Sequence, residues 1–259
     1  MAYAEQPPAP ELRSLVASIW AFSGPGTDHR ILPDGCIDIV VLGERARVVG
    51  AMQQAVIVPA LPGAVLGVRL RPGEAARLFP AVPRELTDDE ARLDEVWGDD
   101  GRRFEDAILE LLEHATRQAH GPQEILSRAS AAIEHMLRRR LASHATAVDL
   151  RVRAAAALLE RGASVREAAE HVAISERQLG RRFSERVGLN PKTFARVRRL
   201  QRAAELLTQG NPPGAVATLV GYGDQAHFTH EATALAGTTP GTLQRELADP
   251  SQTAIAVSL

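Results

Sequence analysis

Hydrophobic residues recur along this chain with two different spacings. Between residues 31 and 70, short Val, Ile and Leu runs at 37–42, 47–51, 55–58 and 64–70 are separated by Pro and Gly, the pattern of strands joined by turns. Alternation is clearest in the last run, where Ala64, Leu66, Val68 and Leu70 face one way and Gly67 and Arg69 the other. A small β domain is predicted. Ahead of it, residues 9–22 fit either a short helix with Leu12, Leu15, Val16 and Ile19 on one face or a strand through residues 18–22. Pro72 and Gly73 end the last strand, and residues 74–79 make one helical turn or two. Residues 80–103, rich in Pro, Asp and Gly, predict a loop anchored by Leu93, Val96 and Trp97.

From residue 104 the spacing becomes helical. Phe104, Ile108, Leu111 and Leu112 form one stripe, Gly121 and Pro122 break it, and Ile125, Ala129, Ala132, Ile133, Met136, Leu137 and Leu141 form a second. The two helices can pair antiparallel, their remaining apolar surface meeting either the β domain or another subunit. Arg138, Arg139 and Arg140 read as a solvated helix end, favourable beside the last carbonyls. Asp149 caps a further helix with Val152, Ala155, Ala156 and Leu159 buried and Gly162 as its stop.

Two capping boxes follow in quick succession. Ser164 with Glu167 opens a short helix carrying Val165, Ala168, Ala169 and Val172, and Ser175 with Gln178 opens another carrying Leu179 and Phe183. Arg177, Arg181 and Arg182 leave the second helix by its other faces. Two short helices joined so tightly have the layout of a helix-turn-helix, whose second helix can enter a major groove. The competing reading is a helical hairpin with a solvated basic face. Asn190 and Pro191 then start a long helix striped by Phe194, Val197, Leu200, Ala204 and Leu207, and Asn211 and Pro212 open the next. Residues 217–241 repeat the pattern from 169 onward at an offset of 48 to 49, with Ala217 answering Ala169, Gly221 answering Ala173, Asp224 answering Ser175 and Phe228 answering Leu179. A chance hairpin would not recur.

The fold class expected is α+β: a small β-rich domain over residues 1–100, a helical linker and candidate dimerisation element over 101–145, an all-α domain with two helix-turn-helix units over 146–248, and a flexible tail over 249–259.

Charge sharpens the division. The 259 residues carry a net charge of only -2, yet residues 149–210 hold thirteen Arg or Lys against seven Asp or Glu. Residues 211–259 hold one against four, and residues 1–148 sixteen against twenty-one. Such asymmetry points to an anion-binding module joined to something else. The single Cys36 excludes an internal disulfide and a Cys-rich zinc site, and no run approaches the roughly 18 apolar residues of a membrane span. The amino terminus lacks a basic region followed by an apolar stretch, so a cytoplasmic location is expected.

The motifs A-x(3)-A-I-S-x(3)-L-x-R-x-F-x(4)-G-x-N-P, then G-Y-x-D-Q-A-H-F and G-T-T-P, spread over about residues 146–247, resemble the DNA-binding domain of the AraC/XylS family of transcription regulators. Residues 32–40 and 67–79 also look like the amino-terminal domain carried by one branch of that family. The resemblance implies base reading by Arg177, Gly180 and Arg181 in the first unit and by Gln225, His227 and His230 in the second, with phosphate contacts from Ser175, Arg182, Lys192 and Thr193. Three departures matter. Gly180 has no side chain to reach a base, Ala173 stands where the turn usually has Gly, and Ala232-Thr233 stands where an aromatic and a basic residue are usual. The last implies an underfilled pocket in the second unit at the site answering Phe183, a loosely docked second unit of little affinity, and stronger binding if Phe were restored at 232 or an arginine were added near His230.

Double-stranded DNA is the expected partner, and a small-molecule effector, RNA polymerase and a second copy of the chain are candidates; no membrane, cofactor or metal is expected. Asp34, Cys36 and Asp38 are weak candidates for an effector site, against a plainer reading of turn and edge residues beside a buried thiol. No Gly-rich phosphate loop, paired metal ligands or nucleophile elbow appears, which disfavours an enzyme. An effector-modifying enzyme fused to a DNA-binding module and a protein-interaction adaptor remain as alternatives to the regulator.

Overall fold

The computed structural model describes residues 2–23, 28–59, 63–79, 83–144 and 146–248, so the expected tail at 249–259 lies outside the described residues. Six strands form one antiparallel sheet: β1 (Ala2–Gln6), β2 (Val16–Ser23), β4 (Ile37–Leu42), β5 (Arg45–Val49), β7 (Ala64–Leu70) and β8 (Glu90–Arg92), in the order β1-β2-β7-β4-β5-β8. A separate pair, β3 (His29–Ile31) and β6 (Val56–Val58), makes a two-stranded ribbon. The region 9–22 resolves into a 3-10 turn at Pro10–Leu12 followed by β2, whose Val16, Ile19, Trp20 and Phe22 suit a pleated surface better than a helix.

Alternation gives the sheet two unlike faces. Ile19, Ala21, Ile39, Val41, Val48, Leu66 and Val68 are wholly buried on one of them. This face packs against α2 (Asp99–Arg117) and α3 (Pro122–Ser143), whose Phe104, Ile108, Ile133 and Leu137 are likewise wholly buried in the same core. The apolar stripes of residues 101–145 are therefore used within the chain, against the β domain. On the opposite face, Trp20, Phe22, Asp38, Val40 and Arg69 line a cavity whose other walls include His29, Ile31, Val56 and Val58 of the ribbon.

Two expectations fail locally. The segment expected as a loop contains β8, a short α1 (Leu93–Trp97) and the first turn of α2; Leu93 and Trp97, four residues apart, bury one face of α1. Nor is Arg140 solvated. It is 5% exposed, donates from Nε to the Leu78 carbonyl and sits 5.3 Å over the Trp97 ring. A long side chain can carry its charge inward when an aromatic face and a carbonyl receive it. Arg138 does stay at the surface, paired with Glu11 and Glu134.

The remaining helices are α4 (Leu150–Glu160), α5 (Val165–His171), α6 (Glu176–Val187), α7 (Pro191–Thr208), α8 (Pro213–Leu219), α9 (Gln225–Ala236) and α10 (Pro240–Leu247). Asn211 does not cap α8; Pro212 holds that position, while the Asn211 amide donates to the Leu206 carbonyl. Two cores result. The first joins the sheet, α2 to α6 and the start of α7 through Phe194 and Val197. The second gathers Leu200, Ala203, Ala204 and Leu207 from the rest of α7 with α8 to α10 and, from the other domain, Leu32. Phe194 is packed so closely that a Cβ built on Gly35 would stand 2.7 Å from its ring.

Both helix-turn-helix units are attached to the β domain. Thr87 Oγ1 donates to the Gly188 carbonyl at the end of α6, and Glu74 pairs with Arg153 of α4. Arg30 of β3 pairs with Glu246 of α10 and donates to the Ala236 carbonyl, while the Gln201 amide donates to the Pro33 carbonyl.

Candidate nucleic-acid interface

Helix α6 owes its position to its caps and its two buried side chains. Ser175 accepts from the Gln178 N–H while Gln178 Oε1 accepts from Ser175, so both capping groups are satisfied within the box. Leu179 and Phe183 are wholly buried, Phe183 meeting Phe194 edge to face with ring centroids 5.2 Å apart. Gly188 ends the helix in the left-handed conformation. The turn before it bends at Ala173, whose φ is 53°, a conformation that costs a residue with a Cβ roughly 1–2 kcal/mol. At the same place in the second unit, Gly221 takes a φ of 81°.

This anchoring leaves Arg177 and Arg181 on one exposed face, a helical turn apart. Among the described residues neither makes an ion pair or hydrogen bond, and a Cβ built on Gly180 between them would meet only open space. Four other cations of the region are tied down. Arg182 pairs with Asp149, the cap of α4, Arg196 with Glu231, and Arg198 with Glu160, while Arg202 donates to the Glu160 carbonyl. Arg182 thus holds α4 to α6 as well as lying near the interface. Lys192 is exposed, and the Thr193 N–H is bound to the Asn190 side chain at the start of α7.

In the second unit Gln225, His227 and His230 all lie at the exposed start and outer face of α9. His227 is partly used internally: its N–H donates to Asp224, and its ring nitrogen accepts from the Gly223 N–H. Ala232 is wholly buried, and the site in the second unit that answers Phe183 is not left open as expected. The stacked rings of Tyr222 and Phe228, 4.7 Å apart, supply aromatic bulk to the same core, and Arg196 clamps Glu231 of α9 at 2.8 Å. The second unit is firmly docked.

Residues 168–246 match a family model described as a helix-turn-helix domain. Among solved structures, the chain is similar to a transcriptional regulator of Chromobacterium violaceum with an AraC-type DNA-binding domain, at 26% identity, covering 39% of this chain and 95% of that one with a TM-score of 0.37. The carboxy-terminal part is a helix-turn-helix domain. A probable AraC family transcriptional regulator from Rhodopseudomonas palustris is similar at 28% identity over 38% of this chain and 97% of that one, with a TM-score of 0.34. ToxT from Vibrio cholerae is similar at 7% identity over 96% and 99% of the two chains, with a TM-score of 0.47. No curated protein matches. The amino-terminal residues 4–92 match a family model described only as a domain of unknown function (DUF6597).

The three weak effector candidates of that domain come together. Asp38 and Arg69 are direct partners across β4 and β7, and Arg69 reaches Asp38 at 3.2 Å and Asp34 at 2.9 Å. Trp20, which the sequence reading left out, donates from its indole nitrogen to Asp38 at 3.1 Å. Its ring crosses Gly67, where a Cβ would stand 2.0 Å away, so glycine is required there. Asp34 is the turn residue of the plainer reading, its Oδ1 accepting from the Cys36 N–H at 2.8 Å, whereas Asp38 lies on β4 between β7 and β5 and is no edge residue; the two side chains, 12% and 14% exposed, both line the cavity. Burial pushes the Asp38 carboxyl up to about 6, against the pull of Arg69 and with the help of Asp34. Burial likewise raises the Cys36 thiol well above its ordinary value, with Asp34 adding to the shift, which makes it a poor nucleophile. The alternation that put Gly67 and Arg69 on one side of β7 was the available signal; the register pairing Arg69 with Asp38 was the missing part.

Proposed function

We propose that this AraC-type regulator reads its DNA mainly through α6, with the Arg177 and Arg181 guanidinium groups donating to base edges in the major groove. The observation that carries this reading is that these two exposed cations, a turn apart on one face of α6, hold no partner among the described residues, whereas Arg182 and Arg196 are paired internally. A guanidinium fork matches the two acceptors of a guanine edge, and holding nothing else it need break no bond to reach them. Ser175, Arg182, Lys192 and Thr193 lie toward the phosphates, where helix N-termini and cations set register without reading sequence. Gln225, His227 and His230 contribute less, because α9 carries no Arg or Lys. The amino-terminal domain is the input, sensing a small molecule in the cavity on the outer face of its sheet.

The test is a titration of the purified protein against its own upstream DNA and a scrambled duplex over a range of salt. A steep fall with salt, roughly -0.9 per phosphate contact in a log–log plot, separates DNA binding from a protein-docking role. Loss of discrimination in Arg177→Ala and Arg181→Ala supports α6 as the reader. Equal binding of both duplexes by the unaltered protein would end the reading.

A further inference from the structure

We propose that the β3–β6 ribbon is a two-sided relay between the cavity and the DNA-binding domain, and that the second helix-turn-helix unit is the part it acts on. The inference rests on the amino-terminal domain being the input and names the path its signal takes. Strand register divides the ribbon's side chains between two tasks. His29 pairs with Val58, Arg30 with Ile57 and Ile31 with Val56. His29, Ile31, Val56 and Val58 line the cavity, whereas Arg30 turns the other way, as the two-residue period of a strand requires. There its Nε and Nη2 donate to the two carboxylate oxygens of Glu246 on α10 at 2.9 and 3.4 Å, and its Nη1 donates to the Ala236 carbonyl at the end of α9 at 2.7 Å. One guanidinium thus holds both helices.

Two further links enter the same unit beside the ribbon. The Ala55 N–H, one residue before β6, donates to the Leu235 carbonyl at 2.7 Å. Leu32, one residue after β3, lines the cavity and also belongs to the second core, with Leu235, Ala236 and Leu243. Two strands of three residues are a weak sheet by themselves, so the ribbon can shift where the six-stranded sheet cannot. A displaced ribbon pulls on α9 and α10 through Arg30, Leu32 and Ala55, because a core packed at this density passes displacement on. The Thr87 to Gly188 and Glu74 to Arg153 ties of the first unit lie off the ribbon. The relay gives α9, which carries no Arg or Lys, a task other than gripping a polyanion.

The test follows the path in both directions in the full-length protein and needs no ligand. Val40→Phe and, separately, Val49→Phe fill the cavity from β4 and β5. Each is expected to speed hydrogen exchange of the α9 and α10 amides, relative to those of α4, by at least about fivefold, the lower end of ordinary coupling between sites. Coupling is reciprocal, so loosening the second unit should open the cavity. Cys36, the single cysteine, lines the cavity and reports its opening. Arg30→Met is expected to raise the rate of Cys36 alkylation by iodoacetamide by at least about fivefold, while Arg153→Met, which breaks a tie of the first unit, leaves that rate unchanged. The charges acting on the thiol are those of Asp34, Arg69, Arg198 and Asp38, so removing Arg30 alters access and not acidity. An unchanged rate in Arg30→Met, or an equal acceleration in Arg153→Met, overturns the proposal, and this comparison stands even where the filled variants fail to fold. Operator affinity of the filled variants separates the two readings. Faster exchange with unchanged affinity keeps the relay and removes the sensing role; shifted affinity with unchanged exchange keeps sensing and removes the relay.

Discussion

The two helix-turn-helix units share one plan and are held by different means. The first is continuous with the core of the β domain, through Phe183, Val187 and Phe194, and turns two unpaired arginines outward. The second has a core of its own, built on the Tyr222 and Phe228 stack with Leu32 inserted from the β domain, and its outward helix has no arginine or lysine. Duplication has kept the side-chain cap of the outward helix and the positive-φ turn before it, while the cap of the first helix, the charge and the anchoring diverged. Docking and reading are thus separable properties: the second unit is well packed yet poorly equipped to grip a polyanion.

The largest effect that could break this comparison lies in the arginines. Arg177→Ala and Arg181→Ala should each lose about 1–3 kcal/mol of discrimination between operator and scrambled DNA. Gln225→Ala and His230→Ala should each change operator affinity by less than about 0.5 kcal/mol, a typical surface effect; equal losses in both units, read by fluorescence anisotropy, would erase the distinction. Next comes Ala232→Phe. Because Ala232 is already wholly buried, the larger ring should overpack the second core and cost about 1–3 kcal/mol in urea unfolding, with no gain in DNA affinity.

Glu231→Gln should destabilise by about 1–2 kcal/mol, less than a fully buried pair, because Arg196 is 34% exposed. Burial opposes the Glu231 charge, but the hydrogen bonds and charge of Arg196 outweigh it and hold the carboxyl below its ordinary value. The stabilisation is therefore complete above the unfolded value, about 4.3, and is lost as the pH falls through the lower folded value. The wild-type melting temperature should converge on that of Glu231→Gln over that acidic window, followed by circular dichroism. The smallest effects are reciprocal: Ala173→Gly should stabilise the first unit by about 1 kcal/mol and Gly221→Ala destabilise the second by a similar amount, since both positions need a positive φ. Shifts of the same sign in the two melts would show that the turns are not equivalent.

Local grammar was legible from residue order where a signal and its effect lie within one helical turn. The Ser164–Glu167 and Ser175–Gln178 boxes, the Asn190 and Asp224 caps and the Gly188 stop all form as their spacing implied. Legibility failed where partners meet from distant elements. Arg140 is buried only because Trp97 and the Leu78 carbonyl wait for it, and nothing within its own helix announces either. Asp38 and Arg69 lie 31 positions apart and become neighbours through strand register. The bulk that replaces a phenylalanine at position 232 comes from Tyr222, outside the repeat's aligned aromatic positions. Placing 80–103 in a loop weighed Pro and Gly above the four-residue interval between Leu93 and Trp97.

Gly35 sits between Asp34 and Cys36, which both line the cavity, and its own missing side chain makes room for the Phe194 ring, which in turn leans on Phe183 of α6. A wall that shifts outward on filling has no free space to move into, because interiors packed at this density transmit displacement instead of absorbing it. The chamber and the reading helix are thus separated by a single residue and two rings, a linkage with the play of a tight-fitting pin.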